Sequence, residues 1–93
     1  MVHVVVYERV SDHAKWLKTF NDDAPNRKGS RGGEILQFEN DPNRHYVVFE
    51  WSDEEAHTFA DFAKTEEMQR VFREAGVIEQ TIQVCSPSMI INQ

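Results

Sequence analysis

The segment Tyr46-Val47-Val48-Phe49-Glu50-Trp51-Ser52-Asp53-Glu54-Glu55-Ala56 passes from one type of structure to another with no linker between them. β-Branched and aromatic residues through Trp51 favour a strand. Ser52 and, three residues later, Glu55 form a capping box, in which the serine serves a free amide and the glutamate reaches back. A strand that feeds directly into a capped helix in mid-chain is a strong constraint. The residues before it must pair with that strand, and those after it must bring the chain back to the same sheet.

The flanking pattern meets both demands. Residues 2–9 read as a strand with apolar side chains on both faces, the mark of a central position. Ser11 or Asp12 can cap a helix whose His13, Trp16, Leu17, Phe20 and Ala24 share a stripe; Pro25 and the glycine-bearing run from Asn26 to Gly33 end it. Residues 34–39 read as a second strand and residues 45–51 as a third. Asn40-Asp41-Pro42-Asn43 is the turn between them, so the pair should be an antiparallel hairpin. Ala56, Phe59, Ala60 and Ala63 follow at helical spacing. Thr65 can continue or restart that helix for Met68, Val71, Phe72 and Ala75, and Gly76 caps it. Residues 79–85 alternate as a last strand closed by Pro87.

The order βαββαβ is that of the ferredoxin-like α+β sandwich, here a single domain over residues 1–93. Right-handed crossovers place both helices on one side of a four-stranded sheet and leave the other side bare. Strand one offers Val2, Val4 and Val6 on one face and Val5 and Tyr7 on the other. Strand three offers Val47, Phe49 and Trp51 against Tyr46 and Val48. Whichever set turns away from the helices is a larger apolar patch than a monomer normally shows, so a homodimer closed sheet to sheet is expected.

Composition removes other classes. The 93 residues carry a formal net charge of −6, which argues against nucleic acid as a partner. Arg27, Lys28 and Arg31 cluster, and are expected to be a solvated surface. No run reaches the ~20 apolar residues of a membrane span, so no membrane partner is expected. The N-terminus Met1-Val2-His3-Val4 lacks the pattern of a signal peptide. The single Cys85 excludes an internal disulfide and is expected to be a small buried residue, with a reducing, cytoplasmic setting as the default.

With the element order in hand, Trp16, the Asp41-Pro42-Asn43 hairpin, the Phe49–Asp53 junction and Ala75-Gly76 ahead of the last strand together resemble the dimeric α/β-barrel superfamily. Within it the chain looks most like the antibiotic-biosynthesis monooxygenase-like group, over residues 2–85. The resemblance implies a homodimer around an eight-stranded barrel, with a pocket between sheet and helices in each subunit. Several relatives oxidise polycyclic phenols without metal or flavin, so no cofactor is expected. The haem-degrading branch relies on an asparagine on the first strand and a tryptophan and a histidine in the second helical region. Tyr7 and Glu8 stand near the end of this first strand, and the histidine nearby in the second region is His57, so that set is not reproduced.

The candidate site follows from strand parity. His3 shares a face with Val5 and Tyr7. If that face meets the helices, His3 and Tyr7 are the catalytic pair, with the histidine able to accept a phenol proton. The alternative is a half-buried histidine bonded to backbone or water. Trp16, Phe20, Trp51 and Phe59 are the expected walls of a site for a small apolar or aromatic ligand, or else plain core. Among His3, His13, His45 and His57 no pair has ligand spacing, so no metal site is expected; His13 and His57 read as surface or boundary. Glu50 points away from Phe49 and Trp51 and would pair with Arg9 or Arg44. The leading reading is a monooxygenase-like small-molecule-binding protein, with cofactor-free oxygenation of an aromatic or polyketide-like substrate as its reaction. The alternative is a non-catalytic homodimeric structural or stress-response module.

Overall fold

The computed structural model describes residues 2–27 and 29–92, and Lys28 of the basic cluster lies outside them. The chain runs β1 (Val2–Val10), α1 (His13–Asp22), a short 3-10 turn (Ala24–Arg27), β2 (Gly33–Phe38), β3 (Asp41–Trp51), α2 (Asp53–Ala63), α3 (Glu66–Glu74) and β4 (Val77–Cys85). The strands form one sheet in the order β2-β3-β1-β4. Each neighbouring pair is antiparallel, as the ferredoxin-like order requires.

Each helix starts where a side chain satisfies an otherwise orphaned amide. Asp12 accepts from Ala14 N at 3.0 Å and Lys15 N at 3.3 Å. Ser52 accepts from Glu55 N at 3.4 Å, while the Glu55 carboxylate lies against Gly29. Thr65 accepts from Met68 N at 3.3 Å, so the second helical region restarts as a separate α3. Gly76 follows α3 at φ +93°, in the left-handed region that glycine alone enters freely, and hands the chain to β4. Helix α1 stops at Asp22, short of Ala24, which lies in the 3-10 turn with Pro25.

The hairpin differs from expectation at its tip. Glu39 and Asn40 make the turn, and Asp41-Pro42-Asn43 belongs to β3. The pairing steps from Phe38↔Asp41 to Gln37↔His45, so Pro42, Asn43 and Arg44 bulge out of register. A bulge suits proline, which has no amide to give the ladder. Asp41 Oδ1 accepts from Asn43 N at 3.1 Å. Asn43 Oδ1 in turn accepts from His13 N at 3.1 Å, tying the bulge to the start of α1. At the other end of the hairpin, a Cβ on Gly33 would collide with the Val48 carbonyl, so only glycine lets β2 approach β3 there.

Burial settles strand parity. Val2, Val4, Val6, Glu8 and Val10 of β1 are buried beneath the helices, and so are His45, Val47, Phe49 and Trp51 of β3. Ala56, Ala60 and Ala63 bring α2 close to the sheet, because no long side chain intervenes. The opposite face carries Val5, Tyr7, Tyr46 and Val48, cross-strand partners in the β1–β3 ladder. Leu36 at 48% and Tyr46 at 39% exposure, with no helix over them, leave an apolar surface. Cys85, expected to be buried, is exposed because it ends the edge strand β4.

Candidate functional site

A cavity of ≈ 230 Å³ lies between the sheet and the helices. Its walls are mainly rings and aliphatic groups: Trp16 and Phe20 from α1, Phe49 from β3, Phe59 from α2 and Phe72 from α3. The rings support one another. Trp16 stacks on Phe20 at 5.1 Å between centroids, and Phe59 meets Phe49 edge-on at 5.3 Å. Such walls suit a flat apolar ligand and need few polar groups to orient it.

The polar floor is a single row across three strands. Glu8 of β1 is the register partner of His45 on β3 and of Gln80 on β4, all on the helix side. Glu8 is 2% exposed and His45 0%. His45 Nε2 lies 2.9 Å from Glu8 Oε1, and Gln80 Nε2 donates to Glu8 Oε2 at 2.6 Å. Gln69 of α3 fixes the direction of these bonds. Its Nε2 donates at 2.9 Å to the Ala63 carbonyl, which can only accept, and at 2.9 Å to Gln80 Oε1. Gln80 must therefore turn its NH₂ to Glu8, and the carboxylate is held as an acceptor.

His45 is clamped from above. The Trp16 ring lies over it at 3.9 Å and His13 stands edge-on at 5.5 Å. His45 Nδ1 and His13 Nδ1 are buried without a hydrogen-bond partner among the described residues. An unpaired ring lone pair costs less than an unpaired N–H, because buried acceptors are more often left short than donors. The arrangement therefore favours the His45 tautomer with hydrogen on Nε2, donating to Glu8. Glu8 faces the cavity and His45 does not, so Glu8 is the group a bound molecule can reach.

The expected site residues separate into two sets. Trp16, Phe20 and Phe59 line the cavity. Trp51 does not: it is core beside Phe59, 4.7 Å between ring centroids. His3 and Tyr7 lie on the bare face, because β1 alternates and its even residues face the helices. The condition under which they line a pocket with the aromatic walls is not met. His3 pairs instead with Glu50 across the ladder, Nε2 to Oε1 3.4 Å. This corrects the expected partner of Glu50, since Arg44 goes to Asp41 at 3.4 Å. The Tyr7 ring lies tilted against that of Tyr46, 5.6 Å between centroids. Burial, and then a hydrogen bond with Glu79, raise its phenol above the ordinary value of 10.0. Arg27 is not a solvated surface charge either: its guanidinium sits 3.7 Å from the Phe20 ring centroid at the cavity mouth.

Glu8 and His45 were legible in principle. Glu8 interrupts a buried stripe that is otherwise all valine, and His45 shares the parity of Val47, Phe49 and Trp51. Among the described residues no group of three or more His, Cys, Asp or Glu side chains is placed to hold a metal ion.

No protein-family model matches the chain, and no curated protein matches it. Solved structures do. SnoaB, a cofactor-independent oxygenase from Streptomyces nogalater, superposes at a TM-score of 0.71 with 13% identity, over 99% of this chain and 97% of that one. An antibiotic biosynthesis monooxygenase gives 0.66 with 16% identity, over 96% and 100%. PA3566 from Pseudomonas aeruginosa gives 0.61 with 20% identity, over 95% and 94%. The chain thus has the α+β ferredoxin-like fold of antibiotic biosynthesis monooxygenase structures, as its sequence resemblance implies.

Two outcomes follow from the buried row. His45→Leu strands Glu8 without its imidazole and should cost about 3–5 kcal/mol in urea unfolding, whereas Gln69→Leu should cost about 1 kcal/mol. Burial first, and then neighbouring His45, lower the His13 pKa below 6.5, with Asp12 opposing. The unfolded chain then binds this proton before the folded one. The His13 contribution to stability is full above the unfolded value and is lost as pH falls through 6.5 toward the folded one. His13→Gln should flatten the loss of stability between about pH 7.5 and 5.5 measured by denaturation.

Proposed function

We propose that this protein binds a small, flat, mostly apolar molecule in the cavity and that Glu8 accepts a proton from it. The observation that carries this reading is a carboxylate set in the floor of an aromatic cavity and held as an acceptor by His45 and Gln80. A base in such a setting works on a substrate positioned by ring contacts, and general-base transfer is worth typically ~10²–10⁴-fold. An open interior favours a binding protein over a structural module whose core fills itself.

The reaction class is cofactor-free oxygenation. Loss to Glu8 of the hydroxyl proton of the enol tautomer of an activated CH₂ leaves an enolate, carbanionic at carbon, that can pass electrons to dioxygen. One oxygen atom ends in the substrate and the other in water, R₂CH₂ + O₂ → R₂C=O + H₂O. The likeness in fold to the cofactor-independent oxygenase SnoaB supports this class. Anthrone is a suitable probe, with dioxygen uptake and anthraquinone formation as readouts. Wild-type protein should consume one dioxygen per anthraquinone formed, and Glu8→Gln should lose about 10²-fold or more of the rate. A full rate in Glu8→Gln would remove Glu8 from the role. No binding of anthrone and no uptake by the wild type would favour the structural module.

The second half of the proposal is a homodimer closed through the bare sheet face, where Val5, Tyr7, Leu36, Tyr46 and Val48 gather. His3 and Tyr7 would then serve the interface. The exposed thiol of Cys85 supports a reducing, cytoplasmic setting. Sedimentation should give a dimer for the wild type and a monomer for Val48→Glu, since an unpaired buried charge is costly at an interface. A folded wild-type monomer would sink this half.

A further inference from the structure

The cavity wall is unequal in charge. Glu8 closes the floor, Asp22 and Asp23 stand at the mouth, and Arg27 is the cation among the described lining residues. Asp22 is met from outside by Lys18, Nζ to Oδ2 3.0 Å. Arg27 is already committed. Its Nη1 lies 3.6 Å from Asp23 Oδ2, its Nη2 donates to the Phe20 carbonyl at 2.9 Å, and its plane covers the Phe20 ring. A ligand carboxylate would have to share the Arg27 charge with Asp23 while lying near Glu8.

The rest of the wall points the same way. Phe20, a ring of the wall, already holds a cation on its face, the Arg27 guanidinium, so the rings bring no positive charge of their own to meet an anion. Each Glu8 oxygen accepts one bond, from His45 or from Gln80, and each keeps a further lone pair. Floor and mouth both favour positive or donor character in the guest, and like charge set against like in a desolvated site is strongly disfavoured.

We infer that the ligand of this cavity offers a hydrogen-bond donor, hydroxyl or ammonium, to Glu8 and carries no anionic group, with Asp23 enforcing the rule at the mouth by holding Arg27. This rests on the cavity being the ligand site proposed above. It names the chemical class that site accepts.

Three probes sharing one ring system test it by calorimetric titration at neutral pH: 2-(aminomethyl)naphthalene as a cation, 2-naphthol as a neutral donor and 2-naphthoate as an anion. The ammonium or the naphthol should bind at least about tenfold more tightly than the naphthoate. Which of the two binds more tightly identifies the donor. Asp23→Asn, at the partly exposed mouth, should raise naphthoate affinity by releasing Arg27. Glu8→Gln should narrow the gap between cation and anion. Naphthoate binding to the wild type as tightly as the other two would overturn this inference and leave the ligand site standing. Binding of none of the three would overturn the ligand site and this inference together.

Discussion

The backbone carbonyl of Ala63 sets the polarity of the site. It can only accept, so Gln69 must donate to it, Gln80 must accept from Gln69, and Glu8 must accept from Gln80. The orientation of a buried carboxylate is thus inherited from the end of α2 through two amides that could otherwise flip. His45 completes the row from the opposite side. The fold accommodates a carboxylate at this position by presenting donors from the two strands that flank it, as a polar group in an apolar cavity requires.

The second constraint is the tie between β3 and α1. The bulge at Pro42–Arg44 carries Asn43 out of register, and its side chain caps the start of α1. That places His13 and Trp16 directly over His45. A hairpin without the bulge would keep Asn43 in the ladder and leave the first amide of α1 to another partner. The irregular stretch of strand and the ring stack above the dyad are therefore one arrangement.

Much of the fold was written locally. Caps at Asp12, Ser52 and Thr65, the Gly76 stop and the alternation in β4 each concern residues a few positions apart, and each appears where its chemistry calls for it. The site was harder to read because it depends on which face of a nearly all-apolar strand turns inward. The pattern of β1 permits both choices until Val2 and Val10 are weighed with Val4 and Val6. Placing His3 and Tyr7 among the aromatic walls followed from the other choice. The Glu8–His45 pairing is more remote still, since it needs the register of two strands 37 residues apart in sequence, which turn chemistry does not encode. Trp51 belongs to the aromatic stripe as expected, yet it stands behind Phe59 and away from the cavity, a distinction of depth that periodicity does not carry.

That pairing bears on how the chain avoids folding wrongly. A slip of β3 by one residue would turn Phe49 and Trp51 outward, so hydrophobicity alone forbids it. A slip by two keeps every side chain on its proper face, and the valines of β1 would pack against Val47 and Phe49 almost as well. Glu8 is what such a slip cannot satisfy, because it would face Asn43 or Val47 and lose its imidazole. A carboxylate buried without that partner is costly. The polar pair thus acts as a proofreading mark within an otherwise repetitive seam, rejecting the misaligned sheet that the valine run would tolerate.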